Sequence, residues 1–366
     1  MEEATVLGKS ILVPSVVELA KESNKLFTVP DRYVRNDLDD GPIIEQNQLD
    51  DHNNDDLHLP VIDLKGLING DDVELRKLHL ACQDWGFFQL VNHGVSGSLV
   101  EKVKLEIQEF FNLPIEEKKK YWQRADEIEG YGQAFVLSEE QKLDWADMFF
   151  LTTFPKHERK SRLFSVLSSS FRNALEDYSV ETRKLTIIIL ECMEKALGID
   201  SIRKAFGEGH QTMRMNYYPA CPQPDKVIGL TPHSDAVGLT ILLQINHMNG
   251  LQIIKNGKWH LVKPLDNAFV INVGDILEIL SNGVYSSIMH RAVVNSSEAR
   301  QSIATFYKPS LTSEIGPIPE LITPETPAMF KRITMVDYWK GLFSRTLDGK
   351  AYLDSMRIDD TDVQPV

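Results

Sequence analysis

Cysteine is scarce: the 366 residues hold three, Cys82, Cys192 and Cys221, far apart and without a C-x-x-C pair. An odd, dispersed set builds neither a disulfide framework nor a zinc knuckle and fits reduced thiols of a cytosolic protein. Positive charge is also in deficit, with 39 Lys and Arg against 53 Asp and Glu and a formal net charge of −14. Without a basic stripe to displace counterions from phosphates, the chain is expected to bind neither nucleic acid nor an anionic membrane surface. Long apolar runs are missing as well. The stretch Ile187 to Leu190 falls far short of a membrane span, and the first residues carry Glu2 and Glu3 in place of a signal-length apolar segment. These absences predict a soluble, cytoplasmic protein; the acidity itself says nothing about a small-molecule partner, and a monomer or weak homodimer is expected.

What is present is ordinary globular material, 42% hydrophobic and 25% charged, long enough for one large core or a core with a smaller packed region. Residues 12–22 predict a short amphipathic helix. The segment from Asp37 to Asp56 is crowded with Asp and Asn and reads as an exposed loop. His52 and His58, beside those acids, are read as solvated rather than metal-binding. Leu59 to Leu64 reads as a strand, Val73 to Trp85 as a helix, and Gly86 to Gly94 as a strand ending in a turn at His93. Helices are predicted at 97–112 and 170–197, the second closed by Gly198.

From Thr212 the texture changes to short β-type runs: Met213–Tyr218, Leu239–Ile245, Leu251–Ile254, Trp259–Val262, Ala268–Val273, Ile288–Val294 and Ser302–Tyr307. Asn256-Gly257 between two of them signals a hairpin, because a type I′ turn needs positive φ at both residues. The pattern predicts a mixed α and β fold: a double-stranded β-helix (jelly roll) core with a helix-rich N-terminal region packed against it. The expected divisions are an N-terminal helix and acidic linker over 1–58, a helix-rich region over 59–205, the jelly roll over 206–312 and a helical extension over 313–366.

The chemistry concentrates at Thr231-Pro232-His233-Ser234-Asp235. Residues i and i+2 of an extended segment point to one side, so His233 and Asp235 offer an imidazole and a carboxylate to one point. His290, at the start of a strand-like run, is the candidate third ligand. Two histidines and a carboxylate on one face of an ion leave the opposite face open, which suits Fe(II) binding a cosubstrate and O2. Zinc accepts the same ligands, and an H-x-D triplet alone is weak evidence. Ten residues past His290 comes Arg300-Gln301-Ser302. Arg300 and Ser302 share a strand face, a guanidinium fork beside a hydroxyl suited to a distal carboxylate. Taken singly, each of these residues also fits a structural role; their joint spacing carries the signal. His210, His247 and His260 show no matching partners and are read as structural, and Trp145 as packing.

With these residues in place the chain resembles the plant 2-oxoglutarate/Fe(II)-dependent dioxygenase superfamily, over about Val13 to Ile358. The resemblance includes Trp85-Gly86-Phe87-Phe88-Gln89-Leu90-Val91-Asn92-His93-Gly94 and Asn216-Tyr217-Tyr218-Pro219-Ala220-Cys221-Pro222-Gln223-Pro224. Within the superfamily it is most similar to the thebaine and codeine O-demethylase subgroup, through Glu139 to Asp147 and Leu353 to Ile358, and it also resembles anthocyanidin and flavonol synthases. The resemblance implies Fe(II) on His233, Asp235 and His290. It implies 2-oxoglutarate held by Arg300 and Ser302 with Tyr218 and Asn216, O2 as oxidant and ascorbate as activator. It implies hydroxylation or O-demethylation of an alkaloid, flavonoid or phenolic, with release of succinate and CO2. Asp235 argues against halogenation, because halogenating relatives lack this carboxylate. Gln301 replaces an apolar residue of the family pattern and should point away from the clamp. Lys308 stands where anthocyanidin synthase has an acidic substrate contact, which argues against flavonoid binding in that manner.

Phe306 shares the strand face of Ser302 and is a candidate stacking surface for an aromatic substrate, or equally barrel core. Phe135, Leu137 and the region of Tyr338 and Phe343 are further candidates for the substrate wall or lid, with Lys308. Two alternatives stand beside the dioxygenase reading: an oxidase of the same fold that does not consume 2-oxoglutarate, and a non-catalytic jelly-roll binding protein.

Overall fold

Ser168 accepts a hydrogen bond from the Phe171 N–H (3.1 Å) and starts a helix, Ser169–Leu197, that Gly198 ends in the left-handed region at φ 72°. Such a cap is worth about 1 kcal/mol, and the left-handed C′ position suits glycine. Phe171, Leu175, Tyr178, Leu185, Ile189 and Met193 form its buried stripe at helical spacing. This helix and Gly97–Asn112 pack against a large sheet and share one hydrophobic core with it.

The structure is a computed structural model that describes residues 10–26, 28–36, 58–124 and 127–358. The acidic segment from Asp37 to Asp56, with His52, lies outside the described residues. Twelve strands build the two main sheets. In chain order they are β1 (Val61–Asp63), β2 (Phe87–Val91), β3 (Gly130–Gly132), β4 (Asp147–Phe154), β5 (His210–Tyr218), β6 (Leu230–His233), β7 (Leu239–Gln244), β8 (Leu251–Lys255), β9 (Lys258–Leu261), β10 (Phe269–Val273), β11 (His290–Ala292) and β12 (Arg300–Lys308). The larger sheet runs β1-β2-β10-β7-β12-β5-β4-β3 and the smaller β6-β11-β8-β9. Apart from the parallel β1–β2 pair, every pairing in them is antiparallel. This is the expected jelly roll with N-terminal helices. Asn256 (φ 54°) and Gly257 (φ 75°) make the predicted hairpin turn between β8 and β9.

Three elements differ from expectation. The first helix runs Val16–Leu26 rather than 12–22. The buried Asp147 carboxylate in β4 accepts the Val16 and Val17 N–H groups (2.8 and 3.2 Å), so its start is fixed by a partner more than a hundred residues away. The N-terminal region also contributes β3 and β4, which the sequence pattern did not mark, beside the expected strands β1 and β2, so that it extends the large sheet at both ends. Finally, Asp275–Leu280, buried at every position, forms a short helix between β10 and β11 that the sequence pattern did not reveal.

Candidate active site

The registers of the two sheets assemble the site. In the smaller sheet β11 runs antiparallel to β6 with His290 directly opposite His233. Asp235 follows β6 by two residues. His233 Nε2 and His290 Nε2 lie 3.5 and 3.6 Å from Asp235 Oδ1. Metal–ligand bonds of roughly 2.0–2.2 Å at angles near 90–110° require donors about 3.0–3.6 Å apart. All three side chains are buried, and among the described residues they are the one group of three or more ligating side chains able to hold an ion.

The remaining atoms of each ligand are occupied in the way a metal site needs. His233 Nδ1 donates to the Thr231 carbonyl (2.8 Å) and His290 Nδ1 to the Ile288 carbonyl (3.2 Å), which leaves each Nε2 as the free donor. Asp235 Oδ2 accepts from Thr240 Oγ1 (2.6 Å) and Asn272 Nδ2 (2.8 Å), leaving Oδ1 toward the imidazoles. Burial pushes the Asp235 carboxyl up, but His290, His233 and Asn272 outweigh it and hold it below the usual carboxylate range. Burial, with His233 beside it, pushes His290 down to about 4, so at neutral pH its imidazole is uncharged and ready to ligate.

Deeper between the sheets, β12 pairs with β5 so that Arg300 faces Tyr218 and Ser302 faces Asn216. Arg300 is 3% exposed, with its guanidinium carbon 5.3 Å from the Tyr218 ring centroid. It makes a long hydrogen bond to Gln244 Oε1 (3.4 Å) and lies against the Tyr218 hydroxyl, and its Nε has no partner. Asn216 donates to Ser302 Oγ (3.3 Å) while its own Oδ1 is unpartnered. A buried guanidinium with an orphaned N–H and no carboxylate beside it fits an anion that the protein does not itself supply. Arg300, Ser302, Asn216, Tyr218 and all three triad residues line one narrow chamber, whereas Gln301 is absent from its wall, as expected.

The triad also opens outward. A second cavity of about 450 Å³ is lined by His233 and Asp235 together with Phe306, Phe135, Phe150, Trp339 and Phe343. Phe135 stacks on Phe343 at 5.3 Å between centroids and 11° between planes. The segment Thr346 to Tyr352 forms another side of this cavity and is tied to the metal strand itself. Gly349 accepts from the Ser234 N–H (3.2 Å) and donates to the Pro232 carbonyl (3.3 Å), while Lys350 Nζ reaches Glu278 Oε2 (3.0 Å) and the Ser287 carbonyl (2.7 Å).

Three expected wall residues lie elsewhere. Leu137 is outside the cavity lining, and Gln141 holds its backbone N–H (2.8 Å). Tyr338 is fully buried on the core-facing side of the helix Met335–Phe343, outside the cavity lining. Lys308 shares the face of Phe306 but sits one pair further along the strand, buried behind the wall with Nζ 3.2 Å from the Trp339 ring centroid. His210, read as partnerless, has its Nε2 2.9 Å from Glu158 Oε2, and its role stays structural. Trp145 is packing, as predicted, with Nε1 donating to the Pro219 carbonyl (3.2 Å). Arg214, Trp339 and the Thr346–Tyr352 segment were not legible as site residues. Their only sequence signal is Arg214's place two residues before Asn216 on the same strand face.

Residues 209–309 match the 2OG-Fe(II) oxygenase superfamily, and residues 59–167 match the N-terminal region described as non-haem dioxygenase in morphine synthesis. The chain is 52% identical to thebaine 6-O-demethylase of Papaver somniferum over 98% of its own length and all of the relative's. It is 51% identical to oxoglutarate-dependent flavonoid 7-O-demethylase 1 of Ocimum basilicum, covering 98% of this chain and 94% of that protein. The chain belongs to the 2-oxoglutarate/Fe(II)-dependent dioxygenases. Among solved structures, JOX2 in complex with 2OG, Fe and JA superposes on this dioxygenase with a TM-score of 0.85 at 35% identity, covering 95% of this chain and 98% of that one. The dioxygenase is therefore an iron and 2-oxoglutarate enzyme. Among its described residues no helix is long and apolar enough to cross a membrane.

Proposed function

We propose that this dioxygenase hydroxylates or O-demethylates an aromatic or polycyclic plant metabolite, an alkaloid, flavonoid or phenolic, in the cytoplasm. The observation that carries this reading is the junction of the two cavities. His233, Asp235, Phe306 and Arg214 line both the narrow chamber of Arg300 and the aromatic cavity, so cosubstrate and substrate spaces meet at the triad. The names of the demethylases at 51% and 52% identity supply the substrate classes.

In this reading His233, Asp235 and His290 hold the iron, and Arg300 with Ser302 holds the distal carboxylate of 2-oxoglutarate, with Tyr218 and Asn216 completing the pocket. Iron with 2-oxoglutarate and O2 supplies the oxidising power, at the expense of decarboxylation to succinate and CO2. The protein positions and excludes. Thr240 and Asn272 fix the Asp235 carboxylate, Phe306 and the Phe135–Phe343 stack present faces to a flat substrate, and the Thr346–Tyr352 segment shields the site from water. The test is succinate release with Fe(II) and 2-oxoglutarate across a panel of plant alkaloids, flavonoids and phenolics, with formaldehyde measured for each O-methyl compound. Substrate-dependent succinate is expected; none with any aromatic compound would reject the reading.

A further inference from the structure

Glu278, on the short helix Asp275–Leu280, is buried with both carboxylate oxygens engaged. Oε1 accepts from Arg357 Nη2 (2.9 Å), and Oε2 accepts from Lys350 Nζ (3.0 Å) and the Ser287 N–H (2.7 Å). Lys350 Nζ also donates to the Ser287 carbonyl (2.7 Å). Lys350 and Arg357 bracket the helix Ala351–Ser355, so one carboxylate grips the C-terminal segment at two points.

The grip is anchored near each of the three iron ligands. Gly349 turns at φ 51° and is bonded to Pro232 and Ser234, on either side of His233. The helix of Glu278 is fixed to the chain at Asp235, because the Asp275 N–H donates to the Asp235 carbonyl (2.8 Å) and the Ile276 N–H to the Val237 carbonyl (3.0 Å). Ser287 stands three residues before His290.

The gripped segment crosses the ways into the site. Thr346 and Leu347 line both the aromatic cavity and a polar side recess that contains Arg35, Asp144 and Thr231. Arg214 lines those two spaces and also the narrow chamber of Arg300. Little else holds this stretch. Arg345, Thr346 and Asp348 are exposed, and among the described residues the N–H groups of Thr346, Leu347 and Asp348 have no hydrogen-bond partner. Its place is set from Gly349 onward. The side chains of Lys350 and Arg357 are 24% and 36% exposed, so both cations reach water when the segment lifts, and the charge of Glu278 is what turns them inward.

We infer that Glu278 is a positioning residue for the reaction: by clasping Lys350 and Arg357 it holds the Thr346–Tyr352 segment across the entrances to the iron site, and so sets how fast 2-oxoglutarate and substrate enter and leave. The inference rests on the placement of 2-oxoglutarate against Arg300. Glu278 lines neither the narrow chamber nor the aromatic cavity, so it governs the rates of exchange and not the affinity. A gate that stands open more often speeds entry and exit alike.

The test uses the full-length enzyme with Fe(II), without O2, and 2-oxoglutarate itself as the probe. Stopped-flow absorption of the Fe(II)–2-oxoglutarate complex gives association from the slope, and release from the intercept, of observed rate against concentration. Glu278→Gln keeps the shape and removes the charge. It should raise both rate constants together by about three- to tenfold, the scale of a charge-assisted contact with partly exposed partners, and leave Kd within about twofold of native. Lys350→Met should do the same, whereas Lys350→Arg, which keeps the cation, should return native rates. Hydrogen–deuterium exchange gives a second readout that does not pass through the iron: the amides of 346–352 should exchange severalfold faster in the two neutralising variants, while those of β8 and β12 stay native. Native rates with native amide exchange in both variants overturn the inference. Weaker affinity carried by faster release alone also overturns it, since Glu278 would then support the cosubstrate pocket itself; so does faster amide exchange with both rates unchanged. If Glu278→Gln fails to fold, Lys350→Met, altered at a partly exposed position, decides by the same outcomes. An Arg300→Ala variant with native 2-oxoglutarate affinity would instead sink the placement of the cosubstrate, and the rates and amide exchange of the clasp variants would still decide the gate.

Discussion

Replacing Lys308 with methionine offers a test of the buried charge that is independent of any substrate. Methionine keeps the unbranched length of the side chain and removes the ammonium. Lys308 is 4% exposed, and burial pushes it from 10.5 down to about 7, against the pull of Glu158 and Glu129. A displacement of that size has a ceiling of roughly 5 kcal/mol, and contact with the Trp339 ring returns about 2 kcal/mol of it. A lysine whose pKa is lower in the folded than in the unfolded protein destabilises the fold fully at pH below about 7, and the penalty fades as pH climbs toward 10.5. Lys308→Met should therefore be more stable than the native protein by about 1–3 kcal/mol at pH 6, with the gap narrowing by about 1–2 kcal/mol at pH 9. Urea unfolding at the two pH values measures it, with unchanged m-values as the check that one transition is being compared. A variant less stable than the native protein at both pH values, with no dependence on pH, would show that the ammonium is a net stabiliser and refute the reasoning.

Three further outcomes are expected. Arg300→Ala should raise the 2-oxoglutarate concentration needed for half-maximal succinate release, at a loss of roughly 2–5 kcal/mol of binding; an unchanged requirement would place the cosubstrate elsewhere. His233→Ala should abolish Fe(II) binding in an anaerobic titration while the far-ultraviolet circular dichroism stays native, since His233 ends an edge strand whose backbone pairing to β11 the truncation leaves in place. Thr240→Val removes the hydroxyl that fixes Asp235 Oδ2 (2.6 Å) and should weaken metal affinity about 10–100-fold, the usual scale for a group that orients a ligand; full affinity in that variant would mean that Asn272 alone suffices.

Much of the metal centre and clamp was legible because strand alternation is a local rule. His233 with Asp235, and Arg300 with Ser302, each share a face by a spacing of two, and the structure brings both pairs to one chamber. What could not be seen depends on partners distant in sequence. Arg214 reaches the junction of the two cavities through its register opposite Ala304, and Lys308 meets Trp339 on a helix that the strand pattern does not predict. The strand Asp147–Phe154 is buried at most of its positions and so lacks the alternation that marks a half-exposed strand. Asp275–Leu280, apolar apart from its two acids and too short to show a helical period, was hidden for the same reason. The offset of the first helix traces to Asp147, a cap that no local pattern contains.

The single strand Arg300–Lys308 behaves like a comb whose alternate teeth carry different duties. Exchanging one tooth, such as Phe306, alters the wall of the aromatic cavity and leaves Arg300 and Ser302 in place at the other end. Inserting or deleting one residue within it would turn the teeth on one side of the change away from the face kept by those on the other. Diversification of such an enzyme is therefore open to point substitutions along this strand and closed to changes in its length.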